Sequence, residues 1–197
     1  MKTLNLAILG STHGTVMMGL LDAIAQGQLP AQIQVVISNK EDAPILTRAR
    51  EHQLEAIFID PAGLSREEYD QQLSEKMKEK NVDLILLIGY MRILTKQFVQ
   101  QWPQRVMNIH PSLLPEFAGR MDQDVHQAVL NAKKTETGCT VHYVTEQIDE
   151  GPIVLQKHCI VAAHDNVESL KARVQALEKE ALIEAIIHYN STDLDNH

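Results

Sequence analysis

Unbroken apolar runs alternate along the chain with stretches in which apolar residues recur every three or four positions. Leu4–Leu9 is nearly continuous and ends at Gly10, the pattern of a strand buried on both faces. The loop Gly10-Ser11-Thr12-His13-Gly14 follows, after which Met17, Leu20, Leu21 and Ile24 recur at helical spacing. Ile33–Ile37 predicts a second buried strand and Ala56–Ile59 a short third one. Between them, Asp42 is placed to cap a helix that has Pro44 in its first turn and carries Ile45, Leu46 and Ala49. Ser65 and Glu68 form an S-x-x-E capping box for a helix with Tyr69, Leu73 and Met77 on one face. Val82–Ile88 contains the strongest strand signal, and Val106–Ile109 is another short strand.

Strands alternating with helices predict right-handed crossovers and an α/β fold: a parallel sheet with helices on both faces. The rhythm changes after residue 110. A loop with Pro111 and Pro115 leads to a helix near Val125–Leu130, and two β-rich runs follow, Cys139–Val144 and Ile153–Val161. These are expected to extend the sheet, at least one of them antiparallel. A last helix, opened by the cap pair Asp165/Glu168, carries Val167, Leu170, Val174, Leu177 and Ala181. With no repeat or linker, residues 1–189 read as one domain and 190–197 as a frayed polar tail.

Composition narrows the function classes. Aromatics make up 4% of the 197 residues against 44% hydrophobic overall, so the core is aliphatic. Eighteen Lys and Arg against 26 Asp and Glu, a net charge of -8, argue against a dedicated nucleic-acid binder. They do not argue against a small anion, which a few backbone N–H groups can hold. Two cysteines without a C-x-x-C spacing exclude a disulfide scaffold and point to the cytoplasm. No apolar run suits a signal peptide or reaches the ~18 residues of a membrane span, so no membrane partner is expected. The nine histidines are scattered without helix-pair spacing, which predicts no metal site. His126 and His142 read as structural, and Cys139 and Cys159 as small core residues.

In an open parallel sheet, ligands bind beyond the carboxyl ends of the strands. Gly10–Thr15, Gly89–Leu94 and Asn108–Pro115 leave strands at that edge. The first is a strand-loop-helix junction that suits either a bound phosphate or a plain tight turn. It is neither G-x-G-x-x-G nor a P-loop, and Ser38-Asn39 stands where a nicotinamide enzyme needs an acidic residue. In Asn108-Ile109-His110-Pro111, alternate residues share a face, pairing an amide donor with an imidazole. Such a pair suits a reaction that develops negative charge on a carbonyl oxygen. Asp149, entering the turn Asp149-Glu150-Gly151-Pro152, is either a turn residue or a carboxylate that orients His110 and raises its pKa.

These motifs together resemble the folate-dependent formyltransferases. The resemblance rests on Met107-Asn108-Ile109-His110-Pro111-Ser112-Leu113-Leu114-Pro115, on Gly89-Tyr90-Met91-Arg92-Ile93-Leu94, on Thr137–Val144 and on Asp149–Ile153. Ser65–Tyr69 and Arg173–Glu178 extend it end to end, toward the branch acting on glycinamide ribonucleotide. It implies a single-domain, Rossmann-like open sheet, mostly parallel, with a C-terminal antiparallel extension. The implied reaction moves the formyl group of 10-formyltetrahydrofolate, a co-substrate used without metal, to the amine of glycinamide ribonucleotide in de novo purine synthesis. Asn108 and protonated His110 would stabilise a tetrahedral intermediate, with Asp149 raising the histidine pKa. Gly14, Thr15 and Val16 would hold the phosphate, with Gln175 and Glu178 near the ribose. The folate pocket would comprise Arg66, Met91, Arg92, Ile93, Leu94, Asn108, Thr145, Glu146, Gln147, Ile148 and Asp149. The chain departs from the family pattern at Thr12 and Val16, where glycine and asparagine are usual, and in a Gly119–His126 segment about two residues longer. The alternative is a related enzyme acting on another amine, such as an amino-sugar nucleotide. Partners are then small molecules, with a homodimer left open.

Overall fold

In the computed structural model, which describes residues 2–120 and 123–194, alternate residues of each buried strand serve two cores. The strands are β1 (Leu4–Leu9), β2 (Ala31–Ser38), β3 (Ala56–Phe58), β4 (Leu84–Leu87), β5 (Val106–His110), β6 (Glu136–Tyr143) and β7 (Ile153–Ile160). On β1, Leu6 and Ile8 enter one core and Ala7 and Leu9 the other, as a two-residue period dictates. The first core lies under α1 (Thr15–Ala25), α2 (Pro44–Glu51), α5 (Gln123–Asn131) and α6 (Val167–Leu194). The second lies under α3 (Arg66–Glu79) and α4 (Lys96–Gln101).

The sheet order is β3-β2-β1-β4-β5-β6-β7. Pairings from β3 through β5 are parallel; β6 is antiparallel to β5 and β7 antiparallel to β6. The chain thus winds outward from β1 to β3 and returns to place β4 on the other side of β1. That reversal leaves a crevice over the carboxyl ends of β1 and β4.

Local signals and the folded chain differ at three places. Asp42 does not cap α2: its N-cap is Ala43, with Pro44 at the first helical position, and the Ile45 N–H donates instead to the Thr12 carbonyl at 3.0 Å. The β1–α1 loop, remote in sequence, supplies that acceptor. At the start of α6, the reciprocal cap is Asn166 with Ser169, whose N–H donates to Asn166 Oδ1 at 2.8 Å. Asp165 is occupied by Arg173, which reaches it with two guanidinium nitrogens. Finally, α6 runs to Leu194 through the stretch read as a tail, because Asn190 is buried and donates to the Lys2 carbonyl at 2.7 Å. Residues 195–197 of that stretch lie outside the described residues.

The capping box of α3 matches the sequence reading. Ser65 Oγ accepts from the Glu68 N–H at 3.1 Å, and Glu68 Oε2 accepts from the Ser65 N–H at 2.8 Å. Ser65→Ala is expected to cost about 1 kcal/mol, read as a lower urea midpoint at unchanged m-value. An unmoved midpoint would mean that packing of Tyr69, Leu73 and Met77 holds the helix unaided.

Candidate active site

The carboxyl ends of β1, β4 and β5 open into a cavity of about 440 Å³, within the range of small-molecule sites. All three strand-end segments singled out from the sequence contribute to its wall, through residues 12–16, 87–94 and 108–111. The first loop is pinned from two sides. The Ser11 N–H donates to the Gly89 carbonyl at 2.9 Å, and Ser11 Oγ accepts from the Met91 N–H at 2.9 Å while donating to Asn39 Oδ1. Gly14 caps α1 at φ 67 without any side-chain hydrogen bond. A Cβ there would fall 2.4 Å from Ile45 Cγ1, so glycine is required on two counts. The first N–H groups of α1 therefore face the cavity without a side-chain cap.

Four side chains meet at the β5 end. Asn108 and His110 both line the cavity, as their spacing on one strand requires. Asp149 reaches them from the β6–β7 connection. Its Oδ2 accepts from the Gly119 N–H at 2.8 Å and lies 3.4 Å from His110 Nδ1. The connection closes at Gly151, where a Cβ would fall 1.7 Å from the Tyr143 carbonyl oxygen, and Asp149 is held at φ 56. A non-glycine residue in that region is strained, and strain of this kind concentrates at functional sites. His142 is the fourth member, directly opposite Asn108 in the β5–β6 register. Its Nδ1 lies 3.0 Å from the Tyr143 carbonyl, which only accepts, so Nδ1 carries the proton. Its Nε2 lies 3.2 Å from Asn108 Nδ2, which positions the amide with a second N–H to spare. Nε2 also lies 3.6 Å from Asp149 Oδ1.

Burial revises the protonation expected of His110. The residue is 3% exposed. Burial, the largest influence, pushes its pKa below the ordinary value of 6.5; Asp149 raises it, His142 lowers it, and the Phe117 backbone raises it. The net direction is down, although Asp149 raises the pKa as expected. With Nδ1 toward Asp149, the lone pair lies on Nε2, which is buried and has no hydrogen-bond partner among the described residues. Asp149 shifts the other way from burial: desolvation raises its carboxyl, but the His142 ring, the Gly119 N–H and His110 together bring it below the usual 3.8.

The remaining residues named from the resemblance gather around the same cavity, with one exception. Gly14, Thr15, Val16, Gln175 and Glu178 line it, as do Met91, Arg92, Ile93, Leu94, Thr145, Glu146, Gln147 and Ile148. Arg66 does not line it: its guanidinium donates to the Ile93 carbonyl at 2.8 Å, buttressing the wall from outside. Glu146 is engaged by Lys96 at 2.8 Å. The Arg92 guanidinium sits 4.2 Å from the centre of the Tyr69 ring, which orients it. His126 and His142, read as structural, both line the cavity, as do His13, Arg120 and Lys171, which sequence reasoning missed. The signal for His142 was its β-run: pairing with Asn108 becomes visible only once register is known. Cys139 is buried as expected, whereas Cys159 is half-buried.

Residues 4–186 match the model of the formyl transferase family. The chain is 40% identical over 174 residues to a phosphoribosylglycinamide formyltransferase of Haemophilus influenzae, covering 88% of this chain and 81% of that one. It is 37% identical over 194 residues to the trifunctional purine biosynthetic protein adenosine-3 of Bos taurus, spanning 94% of this chain but 18% of that much longer protein. Among solved structures, it superposes on glycinamide ribonucleotide transformylase 1 from Symbiobacterium toebii with a TM-score of 0.89 at 39% identity, covering 93% of this chain and 86% of that one.

Proposed function

The chain belongs to the formyl transferase family, and on that footing we propose that it transfers the formyl group of 10-formyltetrahydrofolate to the amine of glycinamide ribonucleotide. The observation that carries the reading is the cluster of Asn108, His110, Asp149 and His142 facing a cavity that is also lined by the start of α1. Similarity to a phosphoribosylglycinamide formyltransferase over most of both chains favours this acceptor over an amino-sugar nucleotide. The free cysteines support a cytoplasmic setting.

Attack of the acceptor nitrogen on the formyl carbon moves negative charge onto the formyl oxygen and acidifies the attacking N–H. Neutral His110, with its Nε2 lone pair open, takes that proton and becomes imidazolium. Asp149 at 3.4 Å then holds the new charge. Asn108 supplies a fixed donor to the oxygen through the amide hydrogen that His142 does not use. Donors set in place before the charge appears need no reorganisation, which is why each matters more than a solvent hydrogen bond. Collapse returns the oxygen's electrons to carbon, breaks the bond to the folate nitrogen and passes the proton from His110 to that leaving nitrogen. Two roles for one imidazole are served better by a neutral resting ring than by a standing cation.

The test is direct. Purified protein given both substrates is expected to form formylated ribonucleotide and tetrahydrofolate in equal amounts, with an amino-sugar nucleotide left unmodified. Faster formylation of the amino sugar, or no transfer to glycinamide ribonucleotide, would overturn the assignment of acceptor.

A further inference from the structure

We propose that Ser11, at the exit of β1, is a positioning residue that ties the β1–α1 loop to the segment after β4 and so sets how closely donor and acceptor approach; this rests on the formyl transfer assigned above.

β1 lies in the sheet between β2 and β4. As the chain leaves β1, the Gly10 N–H donates to the Ile37 carbonyl of β2 at 3.0 Å, and the Ser11 N–H to the Gly89 carbonyl beyond β4 at 2.9 Å. The backbone thus stays bonded to both neighbours past the last strand residue. The Ser11 side chain repeats the bridge from a site that is 4% exposed. A serine hydroxyl has one hydrogen and two lone pairs. The hydrogen goes to Asn39 Oδ1, just past β2, at 2.5 Å, and a lone pair accepts the Met91 N–H at 2.9 Å. Asn39 therefore fixes the rotor that Met91 needs, a role for the residue standing where a nicotinamide enzyme would carry an acid. Thr12 adds a contact of its own: it packs so closely on Gly89 that a Cβ there would fall 2.2 Å from Thr12 Oγ1.

The segment held in this way has no regular structure. Between the end of β4 at Leu87 and the start of α4 at Lys96, residues 88–95 form neither helix nor strand. Such a segment takes its shape from what it is tied to. Toward α4, Arg66 donates to the Ile93 carbonyl at 2.8 Å and Asp70 Oδ2 accepts from the Thr95 N–H at 2.6 Å. Toward β4, Ser11 makes the bonds at Gly89 and Met91. Residues 12–16 and 87–94 both line the cavity, so Ser11 sets the distance between two of its walls. Transfer needs the attacking nitrogen about 3–3.5 Å from the formyl carbon, and a misplacement of about 1 Å can cost ~10²-fold in rate. Two walls can each keep a shape that binds a ligand and still fail the reaction when they are out of step. Loss of Ser11 should therefore be felt in transfer more than in binding.

The experiment compares the full-length protein with Ser11→Ala, Asn39→Leu and Asn39→Asp, the last of which keeps an acceptor oxygen for the Ser11 hydroxyl. Ser11→Ala is expected to lower the single-turnover rate of formyl transfer about 10- to 30-fold, part of what a full 1 Å misplacement costs. KM for each substrate should stay within about threefold. Asn39→Leu should lose part of the rate, and Asn39→Asp should stay within about twofold of wild type. Amide hydrogen exchange reads the tie independently of turnover: it should quicken across residues 89–92 in Ser11→Ala and Asn39→Leu, and not in Asn39→Asp. A Ser11→Ala rate near the wild-type value, KM values raised about tenfold for both substrates, or unchanged exchange across residues 89–92 would each overturn the proposal. So would an Asn39→Asp variant as impaired as Asn39→Leu. If the wild type formylated the amino-sugar nucleotide and not glycinamide ribonucleotide, the acceptor assignment alone would fall, and the same rate comparison on that amine would decide the role of Ser11.

Discussion

His110→Ala is expected to lower kcat by about 10²- to 10³-fold, the usual scale for removing a positioned acid–base group, with Asn108→Ala in the same range for loss of one preorganised donor to a developing oxyanion. KM for either substrate should move far less, because both contributions are made mainly in the transition state. Steady-state kinetics on the two single variants and the double variant check this. The double variant should fall little below the worse single one, since proton removal by His110 and oxyanion stabilisation by Asn108 serve the same transition state. Simple multiplication of the two effects would contradict that picture. The same side chain also shapes stability. Because burial lowers the native pKa of His110 from 6.5, the unfolded chain takes up a proton that the native ring resists. Stability should therefore decline as pH falls from 6.5 toward the lowered native pKa. His110→Ala should flatten that part of a pH series of urea unfolding curves.

Asp149→Asn is expected to have the second-largest effect. It keeps the shape of the side chain and its bond from the Gly119 N–H but removes the charge that raises the His110 pKa. With burial and His142 left to act downward, the ring should titrate at still lower pH. Each unit of that fall costs about tenfold in the imidazolium's formation, so kcat near neutral pH should drop by roughly 10- to 100-fold. Activity that needs neutral His110 should be lost at lower pH in the variant than in the wild type, so the acid limb of the pH–rate profile moves toward acid while the plateau falls. Titration of the His110 ring by NMR reads the shift independently of turnover. A His110 pKa that stayed put or rose would remove Asp149 from the mechanism and leave it as a turn residue holding Gly119. Asp149 itself is held below 3.8, so its contribution to stability is present above that value and lost as pH falls through the lowered native pKa. The asparagine variant lacks this loss.

What could be read from the chain without its fold has a common character: the cause lies within a turn or a strand of the effect. Ser65 and Glu68 are three residues apart, and their reciprocal bonds depend on nothing else. The apolar run of β1 declares burial on both faces because both parities of the strand are apolar, and the structure fills a separate core with each. Asn108 and His110 share a face because a strand has a period of two. The motifs around them were specific enough to indicate the family before any coordinates.

Tertiary structure decided whatever depends on groups brought together from far along the chain. Asp42 is a sound local cap, yet the Thr12 carbonyl takes the N–H it would have served nearest the helix start. Asp165 likewise belongs to Arg173, and Asn166 caps α6 in its place. His142 looked like an isolated core histidine until antiparallel pairing set it opposite Asn108. The upward pull of Asp149 on the His110 pKa can be inferred from motifs, whereas the larger downward effect of desolvation is the sum of everything packed around the ring. Short-range hydrogen bonds and periodicity are encoded locally and survive any context. Burial, pairing register and the pKa values that follow from them exist only when the whole chain has closed around the site.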